Sequence, residues 1–306
     1  MRHNGRFEYQ PLEQPPPLPM QRVGRPFRVN EMKAVGLHGP PSTDRALARR
    51  PLMALCRSRT RRLAAVLDSA PGSYLVTMYS LPDSDAAFRE PWAVLWSKEF
   101  VGKIYDRFLG GIIQLVFRTP GPEEDCEDQL LLVSSGARPQ IWILGLESRW
   151  MTSYIKDPKE LESAVCCSTG GSTVAVSVAP VHFAGCDPVP GRVVLYHVTG
   201  TSWDRSRTIV HGAMGFNRPL FSPGAVRVQA DGKALAVIDQ AAGDALLFTS
   251  DGTLLTTLCS PVDTPLDIEE CRGGWLLLDG ATRTVQFLGG SQYPWGTLGN
   301  PETGLV

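Results

Sequence analysis

The chain has 306 residues, of which 43% are hydrophobic and 8% aromatic, so it can bury a sizeable core and wholesale disorder is excluded. With 30 Gly and 25 Pro it breaks too often for a helical protein and suits short strands joined by turns. The net charge of −1 hides an uneven distribution: residues 1–62 hold 13 Lys+Arg and 4 Asp+Glu, whereas the remainder holds 17 and 27.

A basic arm thus precedes an acidic body. Such an arm can attract nucleic acid or an acidic membrane surface, or fold back on the body. Residues 1–49 show no sustained period of 2 or 3.6, and Pro11–Pro19 reads as polyproline II or disordered chain. Within it, Pro16-Pro17-Leu18-Pro19 is similar to ligands of WW domains, although a flexible tail explains it as well. The body, residues 50–306, opens on Arg57, Arg59, Arg61 and Arg62, read as the solvated turn of a first hairpin. No apolar stretch resembles a secretory leader, and none approaches the roughly 18–20 residues of a membrane-spanning helix. Seven cysteines, an odd number without a CxxC pair, favour free thiols in a reducing, cytoplasmic setting.

The body repeats itself. The first copy runs Leu63–Asp68, then Tyr74–Met78, then Ala93–Trp96 after a polar loop. A second has Ile112–Phe117, the acidic loop Glu123-Glu124-Asp125-Cys126-Glu127-Asp128, Leu130–Val133 and Gln140–Leu144. The third has Ala164–Cys167, Val174–Ser177 and, after a long insertion from Val178 to Gly191, Arg192–Tyr196. The clearest is the fourth: Ala225–Val228, the turn Asp231-Gly232, Leu235–Asp239, Ala245–Phe248, the turn Asp251-Gly252 and Leu254–Leu258. Asp-Gly between two apolar runs is a strong hairpin signal. The fifth reads Leu266–Ile268, Trp275–Asp279 and Thr284–Leu288.

Taking Asp68, Ser135, Ser177, Asp239 and Asp279 as the residues that close the second strand, the spacings are 67, 42, 62 and 40. The short ones give the bare repeat, about 40–50 residues with four strands, which is that of a β-propeller blade. Such a sheet has two faces to bury, and radial stacking buries both. The middle strands Trp275–Leu278 and Leu130–Val133 are accordingly apolar without alternation. The expected fold is all-β, with five recognisable repeats. Three closures remain open: residues 20–50 complete a sixth blade with the C-terminus, the ring has five blades, or the chain is truncated.

Leu278-Asp279-Gly280-Ala281-Thr282-Arg283-Thr284-Val285-Gln286-Phe287 resembles the signature of the NHL-repeat family of β-propellers, with Ala236–Asp239 and Ala65–Asp68 as weaker matches. Trp295-Gly296-Thr297-Leu298-Gly299 looks like the link into a further repeat. Trp203-Asp204 is a WD dipeptide, but without a Gly-His partner a WD40 array is the lesser reading.

No catalytic, cofactor or metal site emerges. The aspartates Asp68, Asp239 and Asp279 are read as braces that accept loop N–H groups. His182, Cys186, Asp187 and His197 match no compact zinc spacing and read as a surface loop. Cys166 and Cys167 point to opposite faces of one strand, as core thiols. The body's only asparagines, Asn217 and Asn300, do not supply the oxygen-rich centre of calcium-dependent propeller hydrolases. The acidic loop is read as a solvated hairpin tip, and one or two tryptophans at a rim are expected to anchor a partner. The resulting expectation is a non-enzymatic scaffold with a protein partner. An RNA-binding propeller that engages nucleic acid through its basic N-terminal arm, or a metal-dependent propeller hydrolase or lyase, stand as alternatives.

Overall fold

The computed structural model describes residues 52–57, 62–70, 73–81, 92–101, 111–121, 124–135, 138–181, 187–211, 221–259, 262–271, 274–289 and 297–298. Among the described residues twenty strands form five antiparallel four-stranded sheets, each taken in chain order. The first contains β1 (Leu52–Arg57), β2 (Arg62–Ala70), β3 (Ser73–Leu81) and β4 (Ala93–Val101). The second contains β5 (Ile112–Arg118), β6 (Gln129–Ser134), β7 (Gln140–Gly145) and β8 (Met151–Ile155). A single turn of helix, α1 (Pro158–Leu161), leads to β9 (Ala164–Gly170), β10 (Thr173–Val178), β11 (Arg192–Thr199) and β12 (Ser202–Ile209). The fourth sheet is β13 (Pro223–Val228), β14 (Ala234–Asp239), β15 (Asp244–Thr249) and β16 (Leu254–Cys259). The fifth is β17 (Pro265–Cys271), β18 (Gly274–Asp279), β19 (Thr284–Gly289) and β20 (Thr297–Leu298).

The protein is a β-propeller. Its leading strands pack in succession, β1 on β5, β5 on β9, β9 on β13 and β13 on β17, and so line the inner side. Four apolar cores fill the four interfaces between neighbouring sheets. Leu67, Val76 and Met78 meet Leu130 and Leu132 in the first. Leu131 and Ile143 meet Val174 and Tyr196 in the second. Ala175 and Leu195 meet Val226 and Phe248 in the third, and Ile238 and Ala245 meet Ile268 and Trp275 in the fourth.

Sheets between two neighbours are buried on both faces, as the unbroken burial of β6 and β14 shows. β18 departs from the expectation. Its burial alternates, with Trp275 and Leu277 in the fourth core and Leu276 and Leu278 only half-buried. Among the described residues no apolar core joins the fifth sheet to the first.

Three boundaries differ from the sequence reading. β2 runs on past Asp68 to Ala70, so Asp68 lies within the strand opposite Leu75. β6 ends at Ser134, which pairs with Gln140 as Asp239 pairs with Asp244, and the marker shifts one residue from Ser135. Thr297 and Leu298, expected in a link to another repeat, form the outermost strand of the fifth sheet against Gln286 and Val285. The hairpin at the arginine cluster is present, with Arg57 opposite Arg62, while Arg59, Arg61 and the arm 1–49 lie outside the described residues.

Candidate protein-interaction surface

The brace reading holds for two aspartates. Asp239, almost fully buried, accepts from the N–H groups of Ser222 and Ala241, both at 3.1 Å. Asp279 accepts from Ala281 N at 2.9 Å and from Thr282 Oγ1 at 2.8 Å. The serine equivalents act in reverse, as donors. Ser177 Oγ donates to Cys166 O within its sheet and to Gly224 O of the next sheet, and Ser134 Oγ donates to Arg138 O at 3.0 Å.

The acidic loop is not simply a solvated tip. Arg118, at the end of β5, has a fully buried side chain, and Glu124 meets it with a side chain only 9% exposed. Arg118 Nη2 bonds Glu124 at 2.6 Å and also donates to Val198 O of the third sheet at 2.7 Å, while Nη1 donates to Gln129 Oε1 at 2.8 Å. Glu124 in turn accepts from Gly121 N at 3.1 Å and Gly200 N at 3.2 Å. Burial opposes the Glu124 carboxylate, but these hydrogen bonds and the guanidinium charge outweigh it and lower its pKa. The loop therefore staples the second sheet to the third. Asp125 alone of its described acids is exposed.

Glu127 of the same loop reaches under the β7–β8 turn, where it accepts from the N–H groups of Glu147 and Ser148. Gly145 makes room for it: a Cβ there would lie 2.1 Å from Glu127 Oε1. The turn closes through Arg149 N to Gly145 O and Gly145 N to Trp150 O, each 3.0 Å. Arg149 sits in the left-handed region at φ 60°, a cost that a braced turn can hold.

This turn presents Trp150, which is 64% exposed. Lys98 of β4 stands over its ring at 3.8 Å from the centroid, so the indole bridges the outer strands of the first and second sheets. On β8, Ile155 faces the second core, which turns Tyr154 to the opposite side, where it stacks obliquely on Trp142 at 5.5 Å. Trp142 itself packs on the first core. The outer surface where the first two sheets meet thus carries Trp150, Tyr154 and Trp142 beside the Lys98 ammonium.

The other tryptophans are mainly packing residues. Trp96 and Trp275 are buried, Trp92 meets Tyr79 edge-on at 6.0 Å, and Trp203 of the WD dipeptide meets Tyr196 at 5.7 Å on the outer strand β12. Trp295 lies outside the described residues.

On the inner side, Arg227 of β13 reaches Asp267 and Glu269 of β17 at 2.9 and 2.8 Å and Cys166 Sγ of β9 at 3.4 Å. Burial works against its charge, and the sulfur and both carboxylates outweigh that effect, raising its pKa. Cys166 packs on the third core and Cys167 in the second, the opposite faces expected, and burial pushes the Cys167 thiol far up. Of the grouping around the third-sheet insertion, His182 and Cys186 lie outside the described residues, and His197 Nε2 is 3.2 Å from Thr199 Oγ1. Asn217 and Asn300 are also outside them. No helix among the described residues is long and apolar enough to cross a membrane.

No known protein family's profile matches the chain, and no curated protein sequence is similar to it. Solved structures similar to it include one of the nidogen/laminin complex, at 15% identity and TM-score 0.47 over 74% of this chain and 78% of that one. Another is the β-propeller domain of Swd1 (Cps50) from Myceliophteria thermophila, at 9% identity and TM-score 0.47, covering 81% of this chain and 75% of that chain. The Dos1 propeller matches at 10% identity and TM-score 0.47, over 76% and 55%. These likenesses concern the fold.

Proposed function

We propose that the protein is a non-enzymatic interaction module on an NHL-like propeller, and that it binds a protein partner through the outer surface where its first two sheets meet. The carrying observation is Trp150, an indole held largely in solvent by a turn braced from beneath by Glu127. Exposed Trp and Tyr, fixed on a rigid scaffold, are the residue types that dominate binding energy at protein interfaces. Beyond its contact with Lys98, the solvent-facing surface of the ring does nothing for the stability of the sheets. Its worth lies in being covered. Lys98 above the ring adds a rim charge that favours a partner with a carboxylate beside its apolar patch.

The test is affinity capture from cell lysate with the full chain and with Trp150→Ala, both nuclease-treated. A protein retained by the wild type and lost with Trp150→Ala is the expected result. Truncating an anchor of this kind costs about 2 kcal/mol or more, roughly 30-fold in Kd. Equal capture by both proteins refutes this surface, and capture abolished by nuclease refutes a protein partner.

A further inference from the structure

The last strand of each sheet is its outermost, and the far edge of such a strand offers a row of N–H and C=O groups. A row of this kind templates pairing with another chain unless charge, brevity or a covering segment blunts it. Three of the outer strands are blunted. β4 carries Lys98 and Glu99, and β12 carries Asp204, Arg205 and Arg207. β8 is five residues long, and Ser153 Oγ ties it to Thr201 O of the third sheet at 2.7 Å. β16 is the exception. Among the described residues it pairs with β15 alone, and no charged residue occurs from Gly252 to Val262. It reads Leu-Leu-Thr-Thr-Leu-Cys, and its first four residues are all exposed, Leu254 at 40% and Leu255 at 54%. Register shifts occur in the pairings of β4, β8, β12 and β16 alike, so bulging does not set β16 apart.

We propose that β16 takes up an extended segment of a protein partner as a fifth strand of its sheet, the segment being uncharged along Leu254–Thr257 and cationic at its ends. The edge itself selects an extended backbone, whose own N–H and C=O groups complement the row. A charged side chain laid along an uncharged edge would lose water without gaining a partner, so the centre of the segment is uncharged. Both ends of the edge are acidic. Asp251 stands exposed in the turn that enters β16, and Asp244 precedes Ala245, which pairs with Cys259 at the far end. Neither forms a salt bridge among the described residues, although the charge of Arg207 on β12 acts on Asp251. The same acids oppose a second copy of this chain, because antiparallel self-pairing brings Asp251 of one copy to the Asp244 end of the other. This inference stands independently of the Trp150 surface, which belongs to the first and second sheets.

The experiment selects a phage-displayed library of random peptides on the full chain and measures the enriched peptides by fluorescence anisotropy. The expected sequences have an uncharged, β-branched centre flanked by Lys or Arg. Leu255→Lys should weaken their binding about tenfold or more, since it sets a cation against a cationic segment. Thr257→Lys, also at an exposed position, should do the same and decides the matter if the first variant fails to fold. N-methylation of one alternate set of the peptide's backbone amides should abolish binding while the other set is tolerated, because only one set faces the edge. Trp150→Ala should bind as the wild type does. No enrichment, equal affinity for both lysine variants, or tolerance of both methylated sets overturns the proposal. Binding lost with Trp150→Ala moves the peptide to the Trp150 surface, and a dimer in sedimentation that Leu255→Lys dissolves assigns the edge to a second copy; both overturn it.

Discussion

Removing one carboxylate from the Arg118 staple isolates what a buried ion pair does in this fold. In Glu124→Ala the Arg118 guanidinium keeps Gln129 and the Val198 carbonyl and loses its only ionic partner among the described residues. The N–H groups of Gly121 and Gly200 lose an acceptor as well. Breaking a buried pair from one side costs about 3–5 kcal/mol, because the remaining charge is uncompensated. For a domain of this size each kcal/mol moves Tm by roughly 2–4 °C, so a drop of about 10 °C is expected by calorimetry or circular dichroism. Asp125→Ala, one residue along and exposed, is the control and should fall within about 0.5 kcal/mol of wild type. The pH dependence provides an independent check. The Glu124 carboxyl titrates below its ordinary value in the folded chain. Its stabilisation is therefore complete above the unfolded carboxyl pKa of about 4.3 and is lost as pH falls through the lower folded value. The Tm gap between wild type and Glu124→Ala must then narrow below about pH 4. A gap of under about 2 °C at neutral pH, or one that does not change with acidification, refutes the staple.

Asp239→Ala removes the acceptor for two loop N–H groups and should destabilise by about 1–3 kcal/mol in urea titrations. Gly170→Ala should be at least as damaging, since its Cβ would lie 1.9 Å from the Gln229 carbonyl of the neighbouring sheet; a wild-type Tm would refute this close approach. Glu127→Ala should loosen the turn under Trp150, read as a red shift and quenching of its fluorescence against a background lacking the change. Spectrophotometric titration should find the Tyr196 phenol silent until the alkaline unfolding transition, because burial first, and then the Asp157 charge, raise its pKa.

The repeat was legible because three strands of each sheet lie wholly or partly between sheets and must be apolar. The outer strands lacked that signal. β12 runs Ser-Trp-Asp-Arg-Ser-Arg-Thr-Ile with nearly every side chain toward solvent, so neither apolar alternation nor an apolar run marks it. β8 is short and half exposed for the same reason. The acidic loop misled because charge density suggests hydration, whereas two of its carboxylates face inward. The available clue was Arg118 itself, a cation ending the apolar run Ile112–Phe117 six residues before Glu124. Trp150 was one of seven equivalent tryptophans in sequence. Only the turn at Gly145, held by a residue 18 positions upstream, distinguishes it.

The arrangement of four separate cores between five sheets has a further consequence. Each sheet couples only to its immediate neighbours, so the described array is a short linear chain of cooperative units rather than one indivisible body. Among the described residues, the first and fifth sheets share one such core each and the three between them share two. On these shared cores, amide exchange should rank β18 and β2 as faster than β10, with the slowest protons of the described strands in the third sheet.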